Sequence, residues 1–270
     1  MKKRQILTSI ISIFLFCTAP GNYVNSSATS DSSELNWYYT PVKEKNQIPD
    51  APKESESFLS EYDAYFLGDT SSKTLYLTFD EGYEKGYTGD ILDTLKDLEV
   101  PAAFFVVKPY IDSEPDLIKR MVAEGHLVCN HSNHHPSMAS ITDTEKFNKE
   151  LTDVEEAYKN LTNEEMPKFF RPPMGKYSKD SLQKTKALGY KTIFWSFAYK
   201  DWVIEDQPCE HSAIEKIESK VHPGAIILLH AVSETNTRIL RTVLTDLKDQ
   251  GYEFKSLNEL PDKSADAAPF

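Results

Sequence analysis

From residue 74 to residue 257 the chain alternates between short apolar runs suited to strands and amphipathic stretches suited to helices. Residues 74–80, Thr-Leu-Tyr-Leu-Thr-Phe-Asp, alternate with period two and read as a strand. Residues 87–98 place Ile91, Leu92, Leu95 and Leu98 on one side of a helix. Residues 102–107 are continuously apolar, as a strand buried on both faces requires. The same reading then gives helix 116–123, strand 126–130, helix 143–161, strand 169–170, helix 179–188, strand 190–198, helix 212–221, strand 225–229, helix 236–250 and a last short strand at 254–257. Strands and helices that take turns in this way predict a mostly parallel sheet covered by helices, in one α/β domain. A closed or nearly closed barrel and an open doubly wound sheet both satisfy the pattern. A chain of 270 residues is long enough to bury one large core of either kind.

The N-terminus has a different character. Lys2, Lys3 and Arg4 precede an apolar run over residues 6–19, followed by small and polar residues. This is the layout of a secretory signal peptide over residues 1–28, cut after Ala28. The apolar run falls short of the roughly 20 residues that span a bilayer, so an uncleaved anchor is the weaker alternative. The protein is therefore expected outside the cytoplasm. Residues 29–72 are rich in Ser, Pro, Lys and Glu and read as a partly extended leader. Their aromatic cluster, Asn-Trp-Tyr-Tyr-Thr at 36–40, is expected to lie on the main domain. The main domain then spans residues 73–262, and 263–270 form a disordered tail. A net charge of −12 argues against nucleic acid as a partner, which needs clustered Lys and Arg. Cys129 and Cys209 could pair, but the expected state of Cys129 is a small buried residue.

Polar residues gather where strands end. Asp80 closes the first strand, His131 follows the third, and Arg171 follows residues 169–170. Asp201 comes shortly after the 190–198 strand, and His230 closes the 225–229 strand. In a parallel α/β barrel these ends open on one rim, where active sites form. Taken singly, each residue has an ordinary structural reading as a turn, a cap, a surface ion pair or a core histidine. Five together point to an enzyme. The sharpest local signal is His131-Ser-Asn-His134-His135-Pro136. Imidazoles four apart in a helical turn can reach one metal, and nitrogen donors with a carboxylate suit Zn²⁺ or a similar divalent ion.

These residues resemble the ordered motifs of the polysaccharide deacetylases, the NodB-homology carbohydrate esterases. The motifs are Thr-Phe-Asp80-Glu81-Gly-Tyr83, His131-Ser-Asn-His-His135, Arg171-Pro-Pro-Met174-Gly, Asp201-Trp202 and Leu228-Leu-His230, within residues 74–257. The wording around them, with residues 36–39, 83–88 and 196–202, is similar to the muramic-δ-lactam de-N-acetylases of spore-forming bacteria. The resemblance implies a distorted (β/α) barrel and removal of the acetyl group from peptide-stripped N-acetylmuramic acid in spore-cortex peptidoglycan. It implies Asp80 as general base, Arg171 as its orienting partner, His230 as general acid and Asp201 as the partner of His230. It further implies His131 and His135 as metal ligands, the backbone N–H of Met174 as oxyanion donor, and Tyr83, Trp202 and Leu228 as pocket walls.

The family pattern carries a second Asp as metal ligand where this chain has Glu81. A Glu there can close the metal site, act through a water, or turn away. Its presence keeps open a wall-glycan-binding homologue that has lost the reaction. A deacetylase of N-acetylglucosamine polymers or chitin is the other alternative, and a two-carboxylate glycosidase a weaker one. A muramic acid substrate carries an extra carboxylate, for which Lys108, Lys176 and Lys200 are the candidate cations. No small-molecule organic cofactor is expected, and a monomer is.

Overall fold

The computed structural model describes residues 32–42, 44 and 46–261. The expected signal peptide (1–28) and tail (263–270) lie outside the described residues. Among the described residues no helix is long and apolar enough to cross a membrane. In chain order the strands are β1 (Leu35–Asn36), β2 (Ala64–Tyr65), β3 (Thr74–Glu81), β4 (Ala102–Val106), β5 (Leu127–Asn130), β6 (Phe169–Phe170), β7 (Lys176–Tyr177), β8 (Lys191–Ile193), β9 (Phe197–Ala198), β10 (Ala225–His230) and β11 (Glu253–Phe254). The helices are α1 (Lys53–Glu56), α2 (Thr88–Asp97), α3 (Lys108–Ser113), α4 (Pro115–Ala123), α5 (Thr144–Thr162), α6 (Lys179–Ala187), α7 (Glu210–Lys220) and α8 (Glu234–Asp249).

The main sheet is parallel and runs β2-β8-β6-β5-β4-β3-β10-β9, with β11 joining the start of β3. Its two ends lie close together. β8 sits beside one edge strand and β9 is the other edge, yet only residues 194–196 separate them. Ile193 and Phe197 can be at most about 14 Å apart. The sheet is therefore curled almost shut, and an antiparallel bridge between Leu67 and Ala225 adds a second tie across the gap. The fold is a distorted (β/α) barrel rather than an open sheet.

Every residue of β3 is buried, so both of its faces are covered. Leu75, Leu77 and Phe79 pack outward under α2 and α8 with Phe104, Ile227 and Leu229. Tyr76 packs inward with Ala103, Phe105, Cys129 and Ile226. The Phe79 and Phe104 rings stack at 5.2 Å, and truncating either to Ala should cost about 3–5 kcal/mol. Close approach explains Gly68: a Cβ there would lie 2.0 Å from the Tyr76 ring. The Asp143 carboxylate accepts from the Lys146 N–H at 3.0 Å and caps α5.

Three features differ from the sequence reading. The expected strand 190–198 is two strands, because residues 194–196 leave β8 to reach β10: Phe194 N–H donates to Tyr65 and Ser196 N–H to Ile226. Helix α3 was not foreseen, its six residues being too few for a periodic signal. The stretch read as leader contributes β2, an edge strand of the main sheet, as well as the packed aromatic Trp37. Cys129 is buried and Cys209 exposed, and both are free thiols.

Candidate active site

Parallel pairing of β3 with β10 sets Asp80 opposite His230. Alternation along the strands sends both side chains to the inner face of the barrel. Asp80 is held from behind by Arg171, whose Nη1 donates to Oδ1 at 2.6 Å. Arg171 has no exposed surface. Its Nη2 donates to Thr78 Oγ1 (2.8 Å), its Nε donates to the Ile193 carbonyl (3.1 Å), and its guanidinium lies 4.1 Å above the Phe105 ring. Thr78 in turn donates to the Ile227 carbonyl at 2.6 Å. Burial pushes the Asp80 carboxyl up, but Arg171, His131 and His230 outweigh it and hold the group below the usual carboxylate range. Asp80 is thus an ionised acceptor with one oxygen turned to the cavity.

The opposite wall has the complementary pair. His230 Nδ1 donates to Asp201 Oδ1 at 2.7 Å. Asp201 is fully buried and also accepts the His230 backbone N–H (2.8 Å) and Asn236 Nδ2 (2.6 Å) on Oδ2. Burial disfavours charge on His230, but the hydrogen bond and charge of Asp201, with Asp80 beyond, raise its pKa above the ordinary value. An imidazole biased toward its protonated form therefore faces an ionised carboxylate across the cavity, the division of labour that acid–base catalysis needs.

His131 and His135 come from the loop after β5. This loop is no helical turn: Ser132 (φ 71°) and His135 (φ 56°) are left-handed. Asn130 Oδ1 accepts the Ser132 N–H, and Ser132 Oγ accepts the His135 N–H, both at 2.9 Å. The fold brings the two rings to 4.9 Å between centroids. His131 Nδ1 donates to the Arg171 carbonyl at 2.8 Å, which fixes the tautomer and leaves the Nε2 lone pair 3.5 Å from Asp80 Oδ2. Burial lowers the His131 pKa to about 4 and lowers that of His135 as well, so both rings are neutral donors.

Asp80, His131, His135, Tyr83, Met174, Trp202, Leu228 and His230 all line one cavity of about 840 Å³. Tyr83, Trp202 and Met174 are half exposed on its rim, and the Trp202 ring lies 5.4 Å from His230. Met174 adopts a left-handed φ of 59° at the turn after β6. Glu81 is not gathered into this site. β3 continues through residue 81, so Glu81 points to the face opposite Asp80, where it is buried with both carboxylate oxygens unpartnered. Burial, with Glu84 and Asp80 adding to it, raises its pKa well above the ordinary value. The third ligand expected at Glu81 is therefore not supplied from that face.

No Lys or Arg appears among the described residues lining the cavity. The candidate cations are engaged elsewhere: Lys108 with Asp112 (2.5 Å), Lys176 with Glu34 (2.9 Å) and Lys200 with Asp206 (2.7 Å). Three supporting residues escaped the sequence reading. Thr78 and Asn236 buttress Arg171 and Asp201. Glu84 accepts from the Tyr87 N–H (2.8 Å), Thr88 Oγ1 (2.5 Å) and Tyr110 Oη (2.9 Å), which anchors the Tyr83 loop at the start of α2. An acidic residue just before a predicted helix was the available signal for Glu84.

A rim that can take a proton from water on one wall and return it to a leaving group on the other is the equipment of a hydrolase. The polysaccharide deacetylase pattern matches residues 67–193. The peptidoglycan-N-acetylmuramic acid deacetylase PdaA of Bacillus subtilis is 44% identical over 226 residues, covering 84% of this chain and 85% of that protein. The peptidoglycan-N-acetylglucosamine deacetylase of Listeria monocytogenes is 33% identical over 229 residues, 85% of this chain and 44% of that protein. The solved structure of Bacillus subtilis PdaA, a family 4 carbohydrate esterase, superposes with a TM-score of 0.81 at 43% identity, covering 85% of this chain and 97% of that one. The chain belongs to the polysaccharide deacetylase family and is a hydrolase of amide C–N bonds.

Proposed function

We propose that the chain de-N-acetylates N-acetylmuramic acid in peptide-stripped peptidoglycan, after which the freed amine can close on the lactyl group to give the muramic-δ-lactam of spore cortex. The observation that carries the reading is the opposition of the Asp80–Arg171 and His230–Asp201 pairs across one cavity. The likeness to a relative named for N-acetylmuramic acid supports the sugar. The basic and apolar N-terminus supports export to the cell wall.

Asp80 takes a proton from the attacking water, and Arg171 keeps it ionised and aimed. The Met174 N–H stabilises the oxyanion. His230 protonates the leaving amine, and Asp201 holds that imidazole charged. Trp202 and Leu228 wall the acetyl methyl. The donor chemistry of His131 and His135, two neutral imidazoles beside a carboxylate, fits a divalent ion. Such an ion, Zn²⁺ by expectation, would be held by those two nitrogens without Glu81 and would supply Lewis acidity to the carbonyl and the water.

One observation favours a second reading. A cavity without a lining Lys or Arg has no lysine or arginine to greet a lactyl carboxylate, which suits N-acetylglucosamine equally well. The exposed His134 ring stands on the rim, where its Nδ1 donates to Glu150 at 2.8 Å. Digestion of peptide-stripped peptidoglycan, with identification of the sugar that has lost its acetyl group, decides between them. Free muramic amine or its lactam supports the proposal, and glucosamine alone overturns it.

A further inference from the structure

The family pattern begins at residue 67, yet residues 34–39 tie together three loops of the site. The Glu34 carboxylate is shared between the two loops that matter most. Ser137 Oγ donates to it, two residues beyond His135, and Lys176 Nζ pairs with it at 2.9 Å, two residues beyond Met174. Leu35 and Asn36 pair antiparallel with Tyr177 and Lys176, and the Trp37 N–H donates to the Gly175 carbonyl at 2.7 Å. The buried Trp37 indole stacks on Phe194 at 4.2 Å, and its Nε1 donates to the Trp195 carbonyl at 2.9 Å. Tyr39 Oη donates to the Ala198 carbonyl at 3.0 Å, three residues before Asp201.

The loop so held is a strained one. Met174 keeps φ 59°, which a non-glycine residue adopts only when its surroundings impose it. Gly175 follows at φ 65°, and a Cβ there would lie 3.2 Å from the Trp37 Cβ and 2.9 Å from the Trp195 ring. The Glu34 ion pair is partly exposed, and such pairs add little to overall stability. Its consequence is geometric, since one carboxylate joins the loop carrying His135 to the loop carrying Met174.

We propose that residues 34–39 are a strap that sets the His131–Ser137 loop and the Met174–Lys176 loop in register, with Glu34 and Trp37 as positioning residues. The kinetic consequence rests on the deacetylase reading given above. The structural consequence does not.

The test uses the full chain carrying Trp37→Ala, Trp37→Phe, Glu34→Ala, Ser137→Ala or the Glu34→Ala/Ser137→Ala pair. Acetate release from soluble peptide-free glycan strands is measured beside amide hydrogen exchange. Trp37→Ala should lower kcat by roughly 10–10²-fold with KM held within about twofold, as a displaced donor does. Trp37→Phe keeps the stack and the backbone donor and should stay within about threefold of wild type. Glu34→Ala and Ser137→Ala should each cost less, and the pair no more than the worse single change, because one contact is removed twice. Amides of residues 174–177 should lose protection in Trp37→Ala while those of β4 keep theirs. Unchanged kcat and unchanged exchange in Trp37→Ala would overturn the strap. So would a rise in KM alone, which would make it a substrate wall, or loss of protection in β4 as well, which would make Trp37 a general stability residue. Should the wild type release no acetate, the deacetylase reading falls, and the exchange result alone decides the strap.

Discussion

Replacing Asp201 with Asn removes one charge and little volume. In the native site Asp201 accepts three hydrogen bonds, from His230 Nδ1, the His230 N–H and Asn236 Nδ2. Charge centres about 4 Å apart interact by about 4 kcal/mol at an effective dielectric near 20. Burial of His230 is then opposed by Asp80 alone, and its pKa falls from its raised position. The basic limb of the kcat/KM profile should move to lower pH, with activity at pH 8 falling by up to the roughly 10²–10⁴-fold that a positioned acid contributes. The amide oxygen also confronts donors it cannot all serve, so the variant should lose about 1–3 kcal/mol of stability. The assay is acetate release from pH 5 to 9, with thermal unfolding run in parallel. An unmoved basic limb with activity at pH 8 within about twofold of wild type would refute the assignment of His230 as the acid.

Asp80→Asn should cost about 10²–10⁴-fold in kcat/KM. Because the Asp80 carboxyl is depressed in the fold, its stabilising effect is full above the unfolded value and fades as pH falls below about 3.9. Urea unfolding should therefore show wild type ahead of the variant at pH 7, by a margin that narrows in acid. Glu81 has the opposite sign: its carboxyl is raised, so it destabilises the fold above about pH 4.3, and Glu81→Gln should raise Tm at pH 7 and not at pH 4. The same variant should bind Zn²⁺ within about twofold of wild type by dye competition, and a loss of tenfold or more would return Glu81 to the ion. A chelator should abolish acetate release, added Zn²⁺ should restore it, and His131→Ala or His135→Ala should each weaken Zn²⁺ binding measured directly.

Much of the barrel was legible because period-two and period-3.6 patterns are local. β3, β4, α2, α5 and β6 fall within about two residues of their expected limits. Closure was not legible, because it depends on residues 194–196 exchanging one neighbouring strand for another, a long-range event with no periodic trace. The site was readable wherever a polar residue ended an apolar run, as at Asp80 and His230. Glu81 misled for a specific reason. Had β3 stopped at Asp80, residue 81 could have turned inward, but one more residue of pairing with Val106 fixes it outward. Asn236 was read as a helix residue and nothing more. Only the cap at Ser233, which accepts from the Asn236 N–H at 3.1 Å, turns its side chain toward Asp201.

The most direct measurement compares acetate release by wild type, Asp80→Asn, His230→Ala and the double variant on peptide-free glycan strands. A base and an acid that serve one catalytic event act as a unit, so each single change should remove most of the activity and the double should fall little further. Singles that keep activity within about twofold, or losses that simply multiply in the double, would show that these two side chains do not share one catalytic event.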